Sequence, residues 1–148
     1  MRIALFQPEI AGNVGAVLRL GACLGVAVDL IEPMGFAWDD ARVRRTAMDY
    51  IDQVEISRHP DWRAFRAMRP GRLVLLTTKA ATFLYDTVFD ADDILLIGQE
   101  SAGVPAAIAT QCALAVRIPI RREVRSLNLA TAAALALGEA LRQTGQLP

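Results

Sequence analysis

The chain has 148 residues, of which 53% are hydrophobic and 22% are charged, and its formal net charge at pH 7 is zero. This length and composition predict one folded domain spanning residues 1–148 and exclude a largely disordered chain. The balanced charge excludes the overall basic character of many nucleic-acid binders. A polyanionic partner would therefore bind a local patch of arginine, since Lys79 is the single lysine among the 16 basic residues.

Membrane, secretory and metal-binding classes are also disfavoured. No segment reaches the roughly 18 continuous apolar residues of a membrane span, and Pro8 and Glu9 interrupt the first apolar run too early for a signal peptide. Cys23 and Cys112 lie far apart without a Cys-x-x-Cys or Cys/His cluster, which indicates reduced cysteines and no metal site. We therefore expect a cytoplasmic protein with neither a metal nor a membrane partner.

Five strand-like runs recur along the chain. In order they are RIALFQ, AVDLIEP, RLVLLTT, DILLIGQ and LAVRIPI. Most are continuous aliphatic runs rather than alternating ones, which is typical of strands that are covered on both faces in a parallel sheet.

Helical patterns lie between these runs. In GNVGAVLRLGACLG, the residues Val14, Val17, Leu18 and Ala22 form one apolar stripe. Further helices are predicted to start near Trp38, Asp61, Val104 and Ser126. The alternation of strands and helices predicts an α/β fold with a mainly parallel sheet.

The last predicted helix is apolar nearly all round. Between Leu129 and Leu141, only Thr131 and Glu139 interrupt a run of Ala, Leu and Gly. Such a helix must be covered on more than one side, and in a small domain the sheet supplies one cover. A second copy of the chain would supply the other, so a homodimer is favoured over a helix that is central to one subunit.

In open parallel sheets, ligands bind beyond the carboxyl ends of the strands. Four such ends carry polar or glycine-rich residues: FQPEIAGNVG, LLTTKAAT, LLIGQESAGVP and RIPIRREVRSLN. Gly98 and Gly103 would let the backbone approach a flat or phosphorylated ligand, although glycine is common at such turns. GNVG lacks the dinucleotide-binding spacing, and no glycine-rich turn precedes a Lys-Ser or Lys-Thr pair. Nucleotide hydrolysis and nicotinamide chemistry therefore lose support.

Catalytic side chains are sparse at these strand ends. The single histidine, His59, stands in a polar stretch and is predicted to lie in an exposed loop, so no Ser/His/Asp set is expected. No spacing pairs the carboxylates of Glu9 and Glu100. Ser126 is a candidate N-cap of the last helix, and Asn128 could also serve only the helix start. The residues alone predict a ligand-binding α/β domain with arginines beside its pocket.

Four segments in order resemble the YibK/TrmL-type branch of the SPOUT superfamily of RNA methyltransferases. They are FQPEIAGNVGAVLRLGACLG, IEPMGFAWDDARVRRTAMDY, LLIGQESAGVP and RIPIRREVRSLNLATAAALALGEALRQ. The resemblance extends over essentially the whole chain. It implies a mainly parallel sheet with helices on both faces and a C-terminal deep trefoil knot, an exception to the rule that chains avoid knots. It also implies a homodimer with its sites near the subunit boundary.

The resemblance implies that S-adenosylmethionine is the cofactor and that it binds in the knot. The positions that match cofactor-binding residues of the family are Leu76, Gly98, Ile118, Ser126 and Leu127. Amides and carbonyls of such loops can bind adenine without charged side chains. This would explain why the sequence shows no familiar cofactor motif.

The implied activity is methylation of the ribose 2′-hydroxyl at the wobble cytidine or uridine of leucine tRNAs. Arg19 matches a family arginine beside the substrate ribose, and because a guanidinium stays protonated we interpret it as a clamp rather than a general base. The candidate catalytic residues are Arg19, Ser126 and Asn128. The candidate substrate-binding residues are Asn13, Arg19, Glu100, Arg121, Arg122 and Arg125.

Three positions depart from the family pattern. Ala11 and Gln99 replace prolines, and Gly138 stands where relatives can carry a tyrosine implicated in tRNA binding. Two alternative functions stay open. One is a methyltransferase of the same fold that acts on another tRNA position or on ribosomal RNA, and the other is an RNA-binding knot dimer without catalysis. The presence of the catalytic candidates disfavours the second alternative.

Overall fold

The computed structural model describes residues 1–39 and 48–148. The strands in this part of the chain are β1 (Arg2–Phe6), β2 (Ala27–Ile31), β3 (Ile56–His59), β4 (Leu73–Leu76), β5 (Thr82–Phe83), β6 (Ile94–Ile97) and β7 (Leu114–Arg117). They form one sheet in the spatial order β3-β2-β1-β6-β4-β7-β5, and every pairing is parallel. The five predicted strand runs are confirmed as β1, β2, β4, β6 and β7.

The α-helices of the described residues are α1 (Ala11–Leu24), α2 (Trp62–Met68), α3 (Ala106–Ala109) and α4 (Leu129–Thr144). Short 3-10 segments occur at Met48–Gln53 and Leu84–Asp86. The helix predicted to start near Trp38 falls mainly on residues 40–47, outside the described residues. No helix in residues 1–39 and 48–148 is both long and apolar enough to cross a membrane.

Alternate residues of each central strand face opposite sides of the sheet. In β1, Ile3 and Leu5 pack into a core with residues of α1 and α4, whereas Ala4 and Phe6 pack into a second core with residues of α2 and α3. Because both faces are buried, the central strands are aliphatic at nearly every position. The predicted α/β sheet with helices on both faces is confirmed.

The sequence analysis missed the two edge strands, β3 and β5. The prediction that His59 lies in an exposed loop is wrong, because His59 is the last residue of β3 and is only 5% exposed. Its Nε2 lies 2.7 Å from Oδ1 of Asp29 on the neighbouring strand β2. The polar residues of β3 do not indicate a buried strand. Burial of His59 depends on the buried carboxylate that pairs with it, and this carboxylate becomes its neighbour only when the strands pair.

Asp29 is fully buried and lies at the centre of an ion-pair cluster. Its carboxylate accepts hydrogen bonds from Nε of Arg2 (2.7 Å), Nε2 of His59 (2.7 Å) and Nε of Arg69 (3.2 Å). Burial by itself would raise the pKa of Asp29. The hydrogen bonds from Arg2 and His59, with the charges of Arg2 and Arg69, outweigh burial and lower this pKa below its usual value.

We expect Asp29→Asn to lower the free energy of unfolding at pH 7 by about 3 kcal/mol, because the basic side chains then lose their buried counter-charge. Because the native pKa of Asp29 lies below its unfolded value, its stabilisation is complete above the unfolded pKa of about 3.9. This stabilisation is lost as the pH falls through the native pKa. The stability of the wild type should therefore depend more steeply on pH in this acid range than that of the variant.

Urea denaturation of both proteins at a series of pH values measures the two effects. Asp92→Asn changes an exposed carboxylate next to a buried strand and is the matched control, with an expected change close to zero. Equal losses of stability in the two variants would contradict the role assigned to Asp29.

Helix α4 begins at Leu129 and is capped by Asn128. Oδ1 of Asn128 accepts hydrogen bonds from the N–H groups of Ala130 (2.9 Å) and Thr131 (3.3 Å). The candidate N-cap Ser126 is therefore wrong, and the alternative interpretation that Asn128 serves the helix start is confirmed. Ser126 lies in the exposed segment before the helix, and its hydroxyl is not used to start α4.

Helix α4 is buried along one stripe only. Ala133, Ala136 and Leu137 are 0% exposed in the core shared with α1 and the sheet, whereas Leu135 is 41% exposed. One subunit thus covers one side of this apolar helix by itself. The predicted homodimer would have to cover the other side, which contains Leu135.

Candidate active site

The carboxyl ends of β4, β6 and β7 surround a cavity of about 820 Å³. Its walls come mainly from residues 75–80, residues 97–104, residues 118, 120 and 125–129, and the start of α1. Strands β6, β4 and β7 are neighbours in the sheet, so loops that are distant in the sequence meet at one edge. The volume is in the range of small-molecule and cofactor sites.

The five predicted cofactor-binding residues all line this cavity. They are Leu76, Gly98, Ile118, Ser126 and Leu127. Leu76, Ile118 and Leu127 provide apolar surface suited to a flat base, and the loop 98–103 provides backbone amides and carbonyls. These groups fit an adenosine-containing cofactor, which needs apolar contact on its ring faces and hydrogen bonds at its edge.

The loop after β6 has no room for a side chain at Gly98. A Cβ atom there would lie 2.3 Å from the carbonyl carbon and 2.7 Å from the Cα of Gly103. Gln99 and Gly103 also exchange two backbone hydrogen bonds of 2.9 Å each, and Gly103 has a left-handed φ of 72°. The close contact at Gly98 is therefore with the backbone of its own loop. The sequence predicts a close contact with a ligand at this position instead.

Three predicted site residues form one line of hydrogen bonds beside the cavity. Oε1 of Glu100 accepts from Nδ2 of Asn13 (3.0 Å), and Oδ1 of Asn13 accepts from Nδ2 of Asn128 (2.8 Å). All three line the cavity, and Asn13 is 9% exposed. The structure thus brings together the start of α1, the loop after β6 and the cap of α4.

Glu9, to which the sequence analysis assigned no role, joins this line of hydrogen bonds. Its N–H donates to Oε2 of Glu100 (2.8 Å), and its carboxylate accepts from the hydroxyl (2.7 Å) and the N–H (2.8 Å) of Ser101. The Ser101 hydroxyl and amide lower the pKa of Glu9 below its usual value. The only sequence signal was that both loops follow strand ends, which does not pair individual residues.

The predicted arginines occupy different places. Arg125 lines the cavity, whereas Arg121 and Arg122 are exposed outside it. Arg19 is exposed on α1, where its guanidinium lies 5.2 Å from the ring centre of Tyr50, and it does not line the cavity. Positive charge thus extends beyond the cavity, as an extended anionic ligand would require.

The described lining of the cavity contains neither a Ser/His/Asp set nor a cysteine nucleophile. Its described lining residues include Lys79, Glu100 and Arg125 but no histidine, cysteine or aspartate. Within residues 1–39 and 48–148, no group of three or more His, Cys, Asp or Glu side chains is placed to hold a metal ion. Burial raises the pKa of Cys112 to about 11, so this thiol stays protonated. The described site favours chemistry that depends on binding and alignment.

Known proteins resemble this chain over nearly its whole length. The sequence profile of the SpoU rRNA Methylase family matches residues 1–138. A tRNA (cytidine(34)-2′-O)-methyltransferase from Beijerinckia indica is 54% identical over 148 residues, covering 98% of this chain and 92% of the relative.

Solved structures agree with this similarity. One, described as giving structural insights into the 2-OH methylation of C/U34 on tRNA, has a TM-score of 0.91 and 36% identity, covering 96% of this chain and 94% of the other. The SpoU methyltransferase AviRb from Streptomyces viridochromogenes, solved in complex with the cofactor AdoMet, has a TM-score of 0.80 and 30% identity, covering 97% of this chain and 57% of AviRb. These matches confirm the resemblance based on four sequence segments, and the chain belongs to the SpoU rRNA methylase family.

Proposed function

We propose that this chain is a tRNA methyltransferase that uses AdoMet (S-adenosylmethionine) to methylate the ribose 2′-hydroxyl of cytidine or uridine at position 34. The observation that carries the proposal is the 54% identity to a tRNA (cytidine(34)-2′-O)-methyltransferase over nearly the full length of both chains. The cavity supports it, because the five residues matched to cofactor binding line one pocket. The finer part of the proposal, leucine tRNAs as substrates, follows from the sequence resemblance.

The chain would contribute mainly by positioning. When bound, AdoMet would supply the methyl group. A ribose hydroxyl has a high pKa and is a weak nucleophile, so holding its oxygen in line with the methyl carbon provides much of the rate. Ser126 and Asn128 are exposed at the cavity, where they could contact the ribose. Asn128 is held in place by Asn13 and by the start of α4.

Binding of RNA would depend on arginines around the cavity rather than on the net charge of the chain. Arg125 lies at the cavity and Arg121 and Arg122 on the same exposed segment, where they could contact phosphates on either side of one ribose. A single-stranded loop presents a ribose in this way, as an anticodon loop does. Activity should accordingly decrease with added salt. A tRNA substrate supports the expected cytoplasmic location.

The trefoil knot and the homodimer belong to the same proposal. The segment 118–129 would form part of the knot, and the exposed sides of α1 and α4 would form the dimer interface. Leu135 supports this arrangement, because a large apolar side chain on α4 is 41% exposed in one subunit.

We expect Leu135→Glu to convert a dimer into a folded monomer, because the new charge would lie in the apolar interface. Ala133→Glu is a different test, since Ala133 is 0% exposed within one subunit and a charge there should unfold the protein. The same reasoning applies to Leu137. Light scattering and circular dichroism distinguish these outcomes, and a monomeric wild type at micromolar concentration would refute the dimer.

Mass spectrometry of nucleosides tests the function directly. tRNA from a strain that lacks the protein should lack 2′-O-methylated cytidine or uridine at position 34 of leucine tRNAs, and purified enzyme with AdoMet should restore it. Methylation of ribosomal RNA, of a base, or of a position outside the anticodon would contradict the proposed substrate. Binding of RNA without any methyl transfer would show that the chain is a binding protein rather than an enzyme.

A further inference from the structure

Glu9 connects three loops at one point without lining the cavity. Its backbone N–H and its carboxylate bind the neighbouring residues Glu100 and Ser101, the latter 92 positions away in the sequence. A third loop packs behind it, since a Cβ on Gly35 would lie 2.8 Å from the Cα of Glu9. Gly35 also donates its N–H to the carbonyl of Pro8 (2.9 Å). The loop that contains Gly35 therefore fixes the backbone of Glu9, and Glu9 in turn binds the loop that follows β6.

The contacts of Glu9 restrict both the position and the rotation of the loop after β6. Glu9 donates one hydrogen bond to the carboxylate of Glu100 and accepts two from Ser101. It thus makes three hydrogen bonds to two successive residues. The two bonds from Ser101 end on a carboxylate, and hydrogen bonds to a charged acceptor are stronger than neutral ones. The bond to Oε2 of Glu100 leaves Oε1 directed at Asn13, which donates to it.

From Glu100 the contacts continue to the residues proposed to meet the ribose. Asn13 accepts from Asn128, and Asn128 caps α4. The loop's own bonds between Gln99 and Gly103 do not involve Glu9. The N–H of Glu9 binds Glu100 and its carboxylate binds the adjacent Ser101, so Glu9 is connected to the asparagines through Glu100.

We propose that Glu9 is a positioning residue for methyl transfer, which orients Asn13 and Asn128 by holding Glu100 and Ser101. This inference rests on the proposed function. It predicts an effect on kcat that exceeds the effect on cofactor affinity, because the glycine turn at the cofactor cavity keeps its own hydrogen bonds when Glu9 is changed.

Kinetics of Glu9→Gln, Ser101→Ala and the double variant test the proposal. Glu9→Gln should lower kcat by about tenfold, while the AdoMet dissociation constant from calorimetry changes less than about threefold, as expected for loss of charge-assisted hydrogen bonds. Ser101→Ala should lower kcat less, because the Ser101 N–H still donates. The double variant should be no worse than Glu9→Gln, because both changes break one interaction.

The matched control is Glu32→Gln, which alters a carboxylate after β2 that pairs with Arg58 at the surface and should keep wild-type kcat. Hydrogen exchange provides a readout besides activity: the amides of Ser101, Ala130 and Thr131 should exchange faster in Glu9→Gln but not in Glu32→Gln. The amides of Gln99 and Gly103 should keep their protection in both variants. If Glu9→Gln did not fold, Ser101→Ala would provide both readouts, since it removes only an exposed hydroxyl.

The outcomes separate this proposal from the proposed function. If the wild type and Glu32→Gln both fail to methylate tRNA, the proposed function is wrong, and hydrogen exchange alone decides whether Glu9 positions the loop. With an active wild type, three results overturn the inference: unchanged kcat in Glu9→Gln, an equal loss of kcat and AdoMet affinity, or additive defects in the double variant.

Discussion

Gly98→Val should abolish AdoMet binding. The valine Cβ would start 2.3 Å from the carbonyl carbon of Gly103, a backbone atom that cannot rotate away as a side chain can. Relief of this clash requires the Gln99–Gly103 hydrogen bonds to break, which opens the loop at the cavity. Overpacking costs about 1 to 3 kcal/mol or more, so we expect AdoMet affinity to fall about 100-fold or beyond detection. Calorimetry with purified protein measures this loss.

Gly12→Ala is the control for the glycine loop. A Cβ on Gly12 meets no atom within 4 Å, and Gly12 lies in the first turn of α1, where alanine is favoured. This variant should bind AdoMet like the wild type. Gly98→Ala should already weaken binding, since its single methyl group makes the same contact with Gly103. Normal binding by Gly98→Val would show that the cofactor does not use this loop.

Arg19→Ala should remove methyl transfer and leave AdoMet binding intact. Arg19 is exposed on α1, outside the cavity lining, and lies six residues beyond Asn13, which is about 9 Å along a helix. A small cofactor held in the cavity would not need it, whereas an RNA loop extends far enough to contact it. Loss of a charge-assisted grip on phosphate or ribose should lower kcat/KM by about 100-fold. Methyl transfer to tRNA and calorimetry with AdoMet measure the two effects.

Arg19→Lys and Arg63→Ala test the reason for this loss. Lysine keeps the charge but not the planar, bidentate guanidinium, so Arg19→Lys should also fail. Arg63 is an exposed arginine on α2, which packs on the opposite face of the sheet, and Arg63→Ala should retain activity. An active Arg19→Lys would show that charge alone is required. A loss of AdoMet binding in Arg19→Ala would place the arginine at the cofactor instead.

Prediction from sequence succeeded for the central strands and failed for the edges of the sheet. Strands such as β6 are buried on both faces, so their runs of aliphatic residues are visible locally. β5 has only two residues, and β3 contains His59, whose burial depends on Asp29. The start of α4 was misplaced for a related reason. Ser126 and Asn128 both have capping side chains, and only the backbone path decides which one reaches the free N–H groups.

The candidate site could also be predicted only in part from the sequence. The residues matched by resemblance to cofactor binding could be identified because they lie in short motifs at strand ends, and the neighbouring positions of β4, β6 and β7 bring those ends together. The position of Arg19 outside the cavity lining could not be predicted. A helix pattern identifies α1, but it does not give the distance of each turn from a cavity formed by other loops.

Local sequence patterns were sufficient to predict the parallel α/β sheet, the family and part of the cavity lining, such as Leu76, Gly98 and Ile118, because buried strands and loop motifs are local. The pairing of polar groups, in contrast, depends on the tertiary structure. It placed the carboxylate of Glu9 on Ser101, 92 residues away, and the carboxylate of Asp29 beside His59. The physical reason is that a hydrogen bond depends on distances of about 3 Å between particular atoms. Such distances are set by strand order and loop path, which leave no periodicity in the sequence.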